Sequence, residues 1–125
     1  MKTVTTTESP PAIGPYSQGV VIGNLLFTSG QIPLDPVTGE IVPGGFDAQV
    51  RRALKNLDAV LCAAGTSRER VVKVTVFLSD MRRFTAFNEV YSEFFRGHQP
   101  ARSVVEISAL PKGVDLEIEA VAEVE

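Results

Sequence analysis

The sequence predicts an α+β fold, a sheet with two helices packed on one of its faces. Three observations carry this reading. Residues 46–64 place apolar side chains at helical spacing and stop at Gly65. Residues 71–78, Val-Val-Lys-Val-Thr-Val-Phe-Leu, are dominated by β-branched residues, and residues 81–96 repeat the helical pattern before two further strand-like runs. The resulting order is β-β-α-β-α-β-β, a sheet with its helices to one side.

Taken in order, Pro10, Pro11 and Pro15 make residues 8–16 a stiff loop, because each proline fixes φ and removes a donor. Residues 17–22 and 24–29 read as short strands around Gly23-Asn24, a hairpin turn. A long loop follows over 33–45, which holds three prolines and three glycines. In helix 46–64, Phe46, Val50, Leu54, Leu57 and Leu61 form the apolar stripe, with Arg51, Arg52, Lys55 and Asp58 on other faces. Strand 71–78 comes next. Asp80 then caps a second helix over 81–96, striped by Phe84, Phe87, Tyr91 and Phe94 and ended by Gly97. Strands at 101–108 and 114–124, joined by the turn Pro111-Lys112-Gly113, close the chain. No internal repeat or low-complexity linker divides it.

Strand 71–78 has two apolar faces. Val72, Val74, Val76 and Leu78 point one way, and Val71, Thr75 and Phe77 the other. Two helices on one side leave the second face uncovered, so the expectation is a homo-oligomer in which a partner subunit packs there.

Bulk properties narrow the function. The chain has 125 residues, a hydrophobic fraction of 44% and a formal net charge of -3. That balance, with a pI of about 5.2, argues against nucleic acid as the main partner, since phosphate binding calls for a concentrated basic surface. The arginine pairs, Arg51-Arg52, Arg68 with Arg70 and Arg82-Arg83, read as solvated helix and loop faces. A single cysteine, Cys62, permits no intrachain disulfide and suits a reducing compartment. The N-terminus shows no apolar run of signal-peptide length, and no stretch approaches the ~20 apolar residues that span a bilayer. The expectation is a soluble cytoplasmic protein without a membrane partner. Metal chemistry is disfavoured, because zinc sites draw on several Cys or His ligands and only Cys62 and His98 exist. Cys62 reads as a small buried hydrophobe and His98 as a surface loop residue. No G-x-S-x-G elbow supports a serine triad, and Gly44-Gly45 lacks the Lys-Ser/Thr that completes a phosphate loop.

What remains is Arg102 and the nearby acids. On strand 101–108, Arg102, Val104 and Glu106 share one face. On strand 114–124, Glu117, Glu119, Val121 and Glu123 share a face opposite Leu116, Ile118, Ala120 and Ala122. If the two strands pair through the Pro111–Gly113 turn, Arg102 and the glutamates lie on the same side of the sheet. Arginine is the side chain suited to gripping a planar carboxylate with a two-pronged fork, so this arrangement suggests a site for an anionic metabolite. Alternation alone favours the plainer reading, a solvated face with weak surface ion pairs.

A resemblance shifts that balance. Along the chain stand Ile13-Gly14-Pro15-Tyr16-Ser17-Gln18-Gly19, Thr28-Ser29-Gly30-Gln31-Ile32-Pro33, Asn56-Leu57 with Ala63-Ala64-Gly65, and Val74-Thr75-Val76-Phe77-Leu78 with Asp80. Phe87-Asn88 with Tyr91, Pro100-Ala101-Arg102-Ser103, Leu110-Pro111 and Glu117-Ile118-Glu119-Ala120 follow. These motifs, in this order, resemble those of the reactive intermediate deaminase family (RidA/YjgF, older name endoribonuclease L-PSP), and they cover nearly the whole chain. The resemblance implies one domain over residues 1–125, with a chorismate-mutase-like mixed sheet and two helices on one face. It also implies a homotrimer with sites in the clefts between subunits.

The activity it implies is hydrolysis of 2-iminoacids such as 2-iminopropanoate and 2-iminobutanoate, derived from enamines, to 2-oxoacids and ammonia, with no metal or organic cofactor. Carried over, Arg102 binds the substrate carboxylate. Tyr16, Ser29, Gly30 and Glu117 line the same pocket, with Asn88 nearby. Glu117 holds or deprotonates the attacking water, and the Tyr16 hydroxyl hydrogen-bonds the substrate or that water. One position departs from the pattern. Many members carry a cysteine two residues after the arginine, where this chain has Val104; the hydrolysis needs no thiol, and the Val104 backbone N–H can still donate to a carboxylate. Two other functions compete: a binding module that senses 2-oxoacids without turnover, and an RNA-directed activity, as the older family name implies.

Overall fold

The computed structural model describes residues 1–125. Six strands make one mixed sheet: β1 (Lys2–Val4), β2 (Gly19–Ile22), β3 (Leu25–Thr28), β4 (Val71–Leu78), β5 (Ala101–Glu106) and β6 (Leu116–Glu123). Their order across the sheet is β1-β2-β3-β6-β4-β5. Only β4 and β5 run parallel; every other neighbouring pair is antiparallel. Two helices, α1 (Gly45–Ala63) and α2 (Phe84–Phe95), follow the apolar periodicity closely. The α1 stripe buries Phe46, Val50, Leu54, Leu57 and Leu61 as expected. Gly65 adopts φ 81°, the left-handed conformation that ends a helix and that glycine enters without a Cβ clash. On α2 the buried stripe is Phe87, Val90, Tyr91 and Phe95, so Phe95 rather than Phe94 faces inward.

Both helices pack on the same side. Their apolar stripes join Val74, Val76, Leu78, Leu116, Ile118, Ala120 and Ala122 in one core of 22 buried residues. The other side of the sheet carries Thr75 and Phe77 opposite Glu119 and Glu117, together with Phe27, Ile22 and Val105, which stand 45%, 56% and 41% exposed. This is the apolar face without helices anticipated from β4. No helix is long and apolar enough to cross a membrane.

Several expectations need correction. The last two strands do not form a hairpin. β6 inserts between β3 and β4, while β5 lies outside β4, parallel to it, with α2 as the crossover. The alternation of β6 explains the choice: Leu116, Ile118, Ala120 and Ala122 are all buried and demand a central position, whereas β5 is largely exposed and tolerates an edge. In β4 the inward set is Val71, Val74, Val76 and Leu78. A bulge between Val71 and Lys73 reverses the alternation, burying Val71 and leaving Val72 51% exposed.

β1 is an extra strand that sequence reading missed, because three residues are too few to show a period. It pairs with β2 and sends Val4 into the core. Asp80 caps a single 3₁₀ turn at Met81–Arg83, accepting from the Arg82 backbone N–H at 2.9 Å, and α2 begins after that turn. Cys62 is exposed rather than buried. His98 is partly buried, with Nε2 2.7 Å from the Val71 carbonyl.

Candidate functional site

Two clefts contain all the residues singled out by the sequence except Val104. The first, about 510 Å³, is lined by Tyr16, Ser29, Gly30 and Glu117, with Gln18 and Lys112 among its other walls. It forms where β3 leaves the regular ladder. The Thr28 side chain substitutes for a backbone acceptor, taking the Ala120 N–H at 3.0 Å. Gln31 and Ile118 then resume pairing, with N–H···O distances of 2.7 and 3.0 Å. Ser29 and Gly30 sit in the interruption. The Ser29 hydroxyl donates to the Ser17 carbonyl at 2.5 Å, and the Ser29 N–H to the Gln18 carbonyl at 2.9 Å.

Gly30 is required by close approach rather than by φ. A Cβ there would overlap the Glu117 carboxylate and come within 2.8 Å of its Cγ. The Glu117 carboxyl group is half-buried, and its pKa is raised, first by burial and second by the neighbouring charge of Glu119. Tyr16 stands 53% exposed at the mouth, with its hydroxyl accepting from the Ile13 N–H at 3.4 Å.

Gln18 holds this wall in place, a role that sequence reading did not assign. The buried side chain accepts from the Thr6 N–H at 2.6 Å and donates to the carbonyls of Thr6 at 3.0 Å and Pro10 at 2.8 Å. These bonds satisfy backbone groups of a proline-rich segment that no strand could pair. Asn56 does the same from α1, donating to the carbonyls of Ile32 and Leu34 at 2.9 and 3.0 Å.

The second cleft, about 540 Å³, contains Arg102, Asn88 and Tyr91. Arg102 leaves β5 on the helix side, opposite Val74 of β4. Its Nη1 donates to Asn88 Oδ1 at 2.9 Å. Its guanidinium carbon lies 4.8 Å from the Tyr91 ring centroid, 5.6 Å from that of Phe84 and 6.0 Å from that of Phe87. The ion pairs in the chain use Arg51, Arg68, Arg70 or Arg82; Arg102 has no carboxylate partner. Val104, two residues on, faces the same side and packs against the core beside Val76, lining neither cleft.

This corrects the expectation that Arg102 and the glutamates share a side. Arg102 pairs with Val74, an inward residue of β4, whereas Glu117 pairs with Phe77, an outward one. The inference failed because it assumed a β5–β6 hairpin. With β4 between them, the register puts the two charged groups on opposite faces.

Comparison with known proteins identifies relatives across the full length. The family model described as Endoribonuclease L-PSP matches residues 6–124. A RutC family protein of Pyrococcus horikoshii is 55% identical over 123 residues, covering 98% of each chain. The 2-iminobutanoate/2-iminopropanoate deaminase of Mus musculus is 48% identical over 121 residues, 97% of this chain and 90% of that one. The crystal structure of Escherichia coli TdcF with bound serine superposes with a TM-score of 0.95 at 48% identity, covering 100% of both chains. The chain described above therefore belongs to the endoribonuclease L-PSP family, also called the RidA/YjgF family.

Proposed function

We propose that the protein is a hydrolytic deaminase that converts 2-iminoacids, such as 2-iminopropanoate and 2-iminobutanoate, to 2-oxoacids and ammonia. We infer further that it works as a homotrimer with each site in a cleft between subunits. The observation that carries this reading is the placement of Arg102 and Glu117. One is an unpaired cation and the other a carboxyl group of raised pKa, and they project from opposite faces of one sheet. A site that uses both draws Arg102 from one copy and Glu117 from the next. The exposed apolar face with Phe27, Phe77 and Val105 supports such packing. Relatives named for this deamination support the reaction class. The serine bound to a relative, itself a carboxylate, supports the ligand class.

In this reading Arg102 binds the substrate carboxylate through its free N–H groups. An iminium carbon is already electrophilic, so orientation and a placed water are the main requirements. Glu117 accepts a proton as the water oxygen bonds to C2, and the C=N π electrons move onto nitrogen, giving a carbinolamine. The proton then passes to that nitrogen, the C–N bond breaks, and ammonia leaves as the C2 hydroxyl loses its proton to form the 2-oxoacid. A raised pKa suits Glu117, because a stronger base drives the first transfer better. Tyr16 and Ser29 supply hydroxyl groups at the same cleft. The single exposed thiol suits a cytoplasmic setting, to which we assign the protein.

The test couples a serine or threonine dehydratase to the protein and follows iminoacid decay and ammonia release. Acceleration by wild type that Arg102→Ala abolishes is the expected result. No acceleration by folded, oligomeric wild type overturns the proposal and moves weight to a module that only binds 2-oxoacids.

A further inference from the structure

The Tyr91 hydroxyl is the one buried side-chain polar atom in the chain without a hydrogen-bond partner. The residue is 8% exposed and lines the same cleft as Arg102. Its ring packs against Phe87 and Phe95, with centroids 5.4 and 4.7 Å away, so its direction is fixed by α2 packing. A phenylalanine would fill the same aromatic ladder without leaving a polar atom dry. An unpartnered hydroxyl in a native interior weakens the fold relative to that simpler choice, and such a group calls for an explanation, which a ligand that uses it supplies.

The neighbour is informative. The Arg102 guanidinium lies over the Tyr91 ring. Burial raises the phenol pKa most, and both the Arg102 charge and a hydrogen bond from the Arg102 side chain oppose it, so the guanidinium reaches the hydroxyl. That contact is too poorly aligned to satisfy the hydroxyl, whose own proton finds no acceptor. Asn88 and Tyr91 stand one helical turn apart on α2, so both reach the same guanidinium. Asn88 takes Nη1 in the one well-formed hydrogen bond of the guanidinium.

We propose that Tyr91 is a substrate-binding residue: its hydroxyl donates to the same ligand carboxylate that the Arg102 fork grips, while Asn88 fixes the plane of that fork. The inference rests on the reading of Arg102 as a carboxylate anchor. It assigns the hydroxyl to one chemical group, a carboxylate oxygen, and makes recognition three-point rather than two-point. A ligand lacking the carboxylate gains nothing from it.

Tyr91→Phe keeps the ring and the cation–π contact and removes only the hydroxyl. Stability and binding are then expected to part company. The thermal midpoint stays equal or rises, while affinity for 2-oxobutanoate, a stable carboxylate probe measured by calorimetry, falls about tenfold or more, as loss of a hydrogen bond to a charged group requires. In the deaminase assay the loss appears in KM more than in kcat, because the carboxylate is held equally in ground and transition states. Unchanged affinity in Tyr91→Phe overturns the inference, and so does a large fall in its thermal midpoint, which would mark the hydroxyl as structural. Arg102→Ala runs beside it. If that variant loses binding and Tyr91→Phe does not, the Tyr91 inference alone fails. If wild type binds no 2-oxobutanoate, the anchor reading fails and takes the Tyr91 inference with it.

Discussion

Gly30 and Glu117 touch so closely that the absence of a side chain at one sets the position of the other. A Cβ on Gly30 would occupy the space of the Glu117 carboxylate. Gly30→Ala therefore displaces the Glu117 side chain from Cγ outward without disturbing the core, since Glu117 lies on the face away from the helices. Misplacing a catalytic group by about 1 Å costs on the order of a hundredfold. Gly30→Ala should lower kcat/KM by about that much at a nearly unchanged thermal midpoint. A kcat/KM within twofold of wild type would show that the carboxylate position is immaterial.

Glu117 gives a pH prediction of defined sign. Its folded pKa is raised by burial and then by Glu119, so the folded state holds this proton more tightly than the unfolded chain. Stability from this group is complete below the ordinary carboxylate range of about 4.3 and is lost as pH rises through the raised folded value. Glu117→Gln should thus stabilise the protein near neutrality, an advantage that shrinks to nothing in acid. Thermal midpoints across pH test this; an advantage that grows in acid would contradict it. The same shift places the acidic limb of kcat/KM above the usual carboxylate range, provided Glu117 is the base.

Asn56 is a stability prediction tied to the site. The side chain is fully buried, bridges the carbonyls of Ile32 and Leu34, and accepts from Arg52 Nε and Nη2 at 2.9 and 2.7 Å. Asn56→Leu fits by volume but leaves both carbonyls unsatisfied, a loss of roughly 2–6 kcal/mol at 1–3 per buried group. Chemical denaturation measures it, and a cost under ~0.5 kcal/mol would mean that water replaces the amide.

How far the chain is legible varies by element. The stripes of α1 and α2 and the β-branched run of β4 are local signals, and they place these elements within a few residues. The neighbours of β5 and β6 are not local. A Pro-Gly turn between two strand patterns looks the same whether the strands pair or straddle a third, and only the burial demand of β6 decides it. The bulge at Val72 is invisible in a run of valines, because Val71 and Val72 carry the same side chain. Gln18 and Asn56 escape because buried amides serving loop carbonyls leave no period. The site fares similarly: Tyr16, Ser29, Gly30 and Glu117 gather in one cleft and Arg102 with Asn88 in another. The motifs single these residues out as candidates, but their division between two faces has no local signal.

That division yields a complementation experiment. Arg102→Ala and Glu117→Gln should each be inactive alone, since every site lacks one partner. If Arg102 and Glu117 of one site come from different subunits, unfolding and refolding an equal mixture creates sites that join an intact Arg102 to an intact Glu117. Random assembly into a cyclic trimer makes roughly a quarter of the sites whole, and activity should recover to about that fraction. Val105→Lys serves as the control. Val105 stands across from Phe77 on the face without helices and is 41% exposed, so a charge there should break subunit packing while leaving the core intact. A folded, monomeric, inactive Val105→Lys is expected by sedimentation and assay. If the mixture stays inactive although mixed trimers are demonstrated by mass, both groups act within one chain. The opposite-face geometry would then have to be bridged by a conformational change in the sheet, and the inter-subunit reading would be lost.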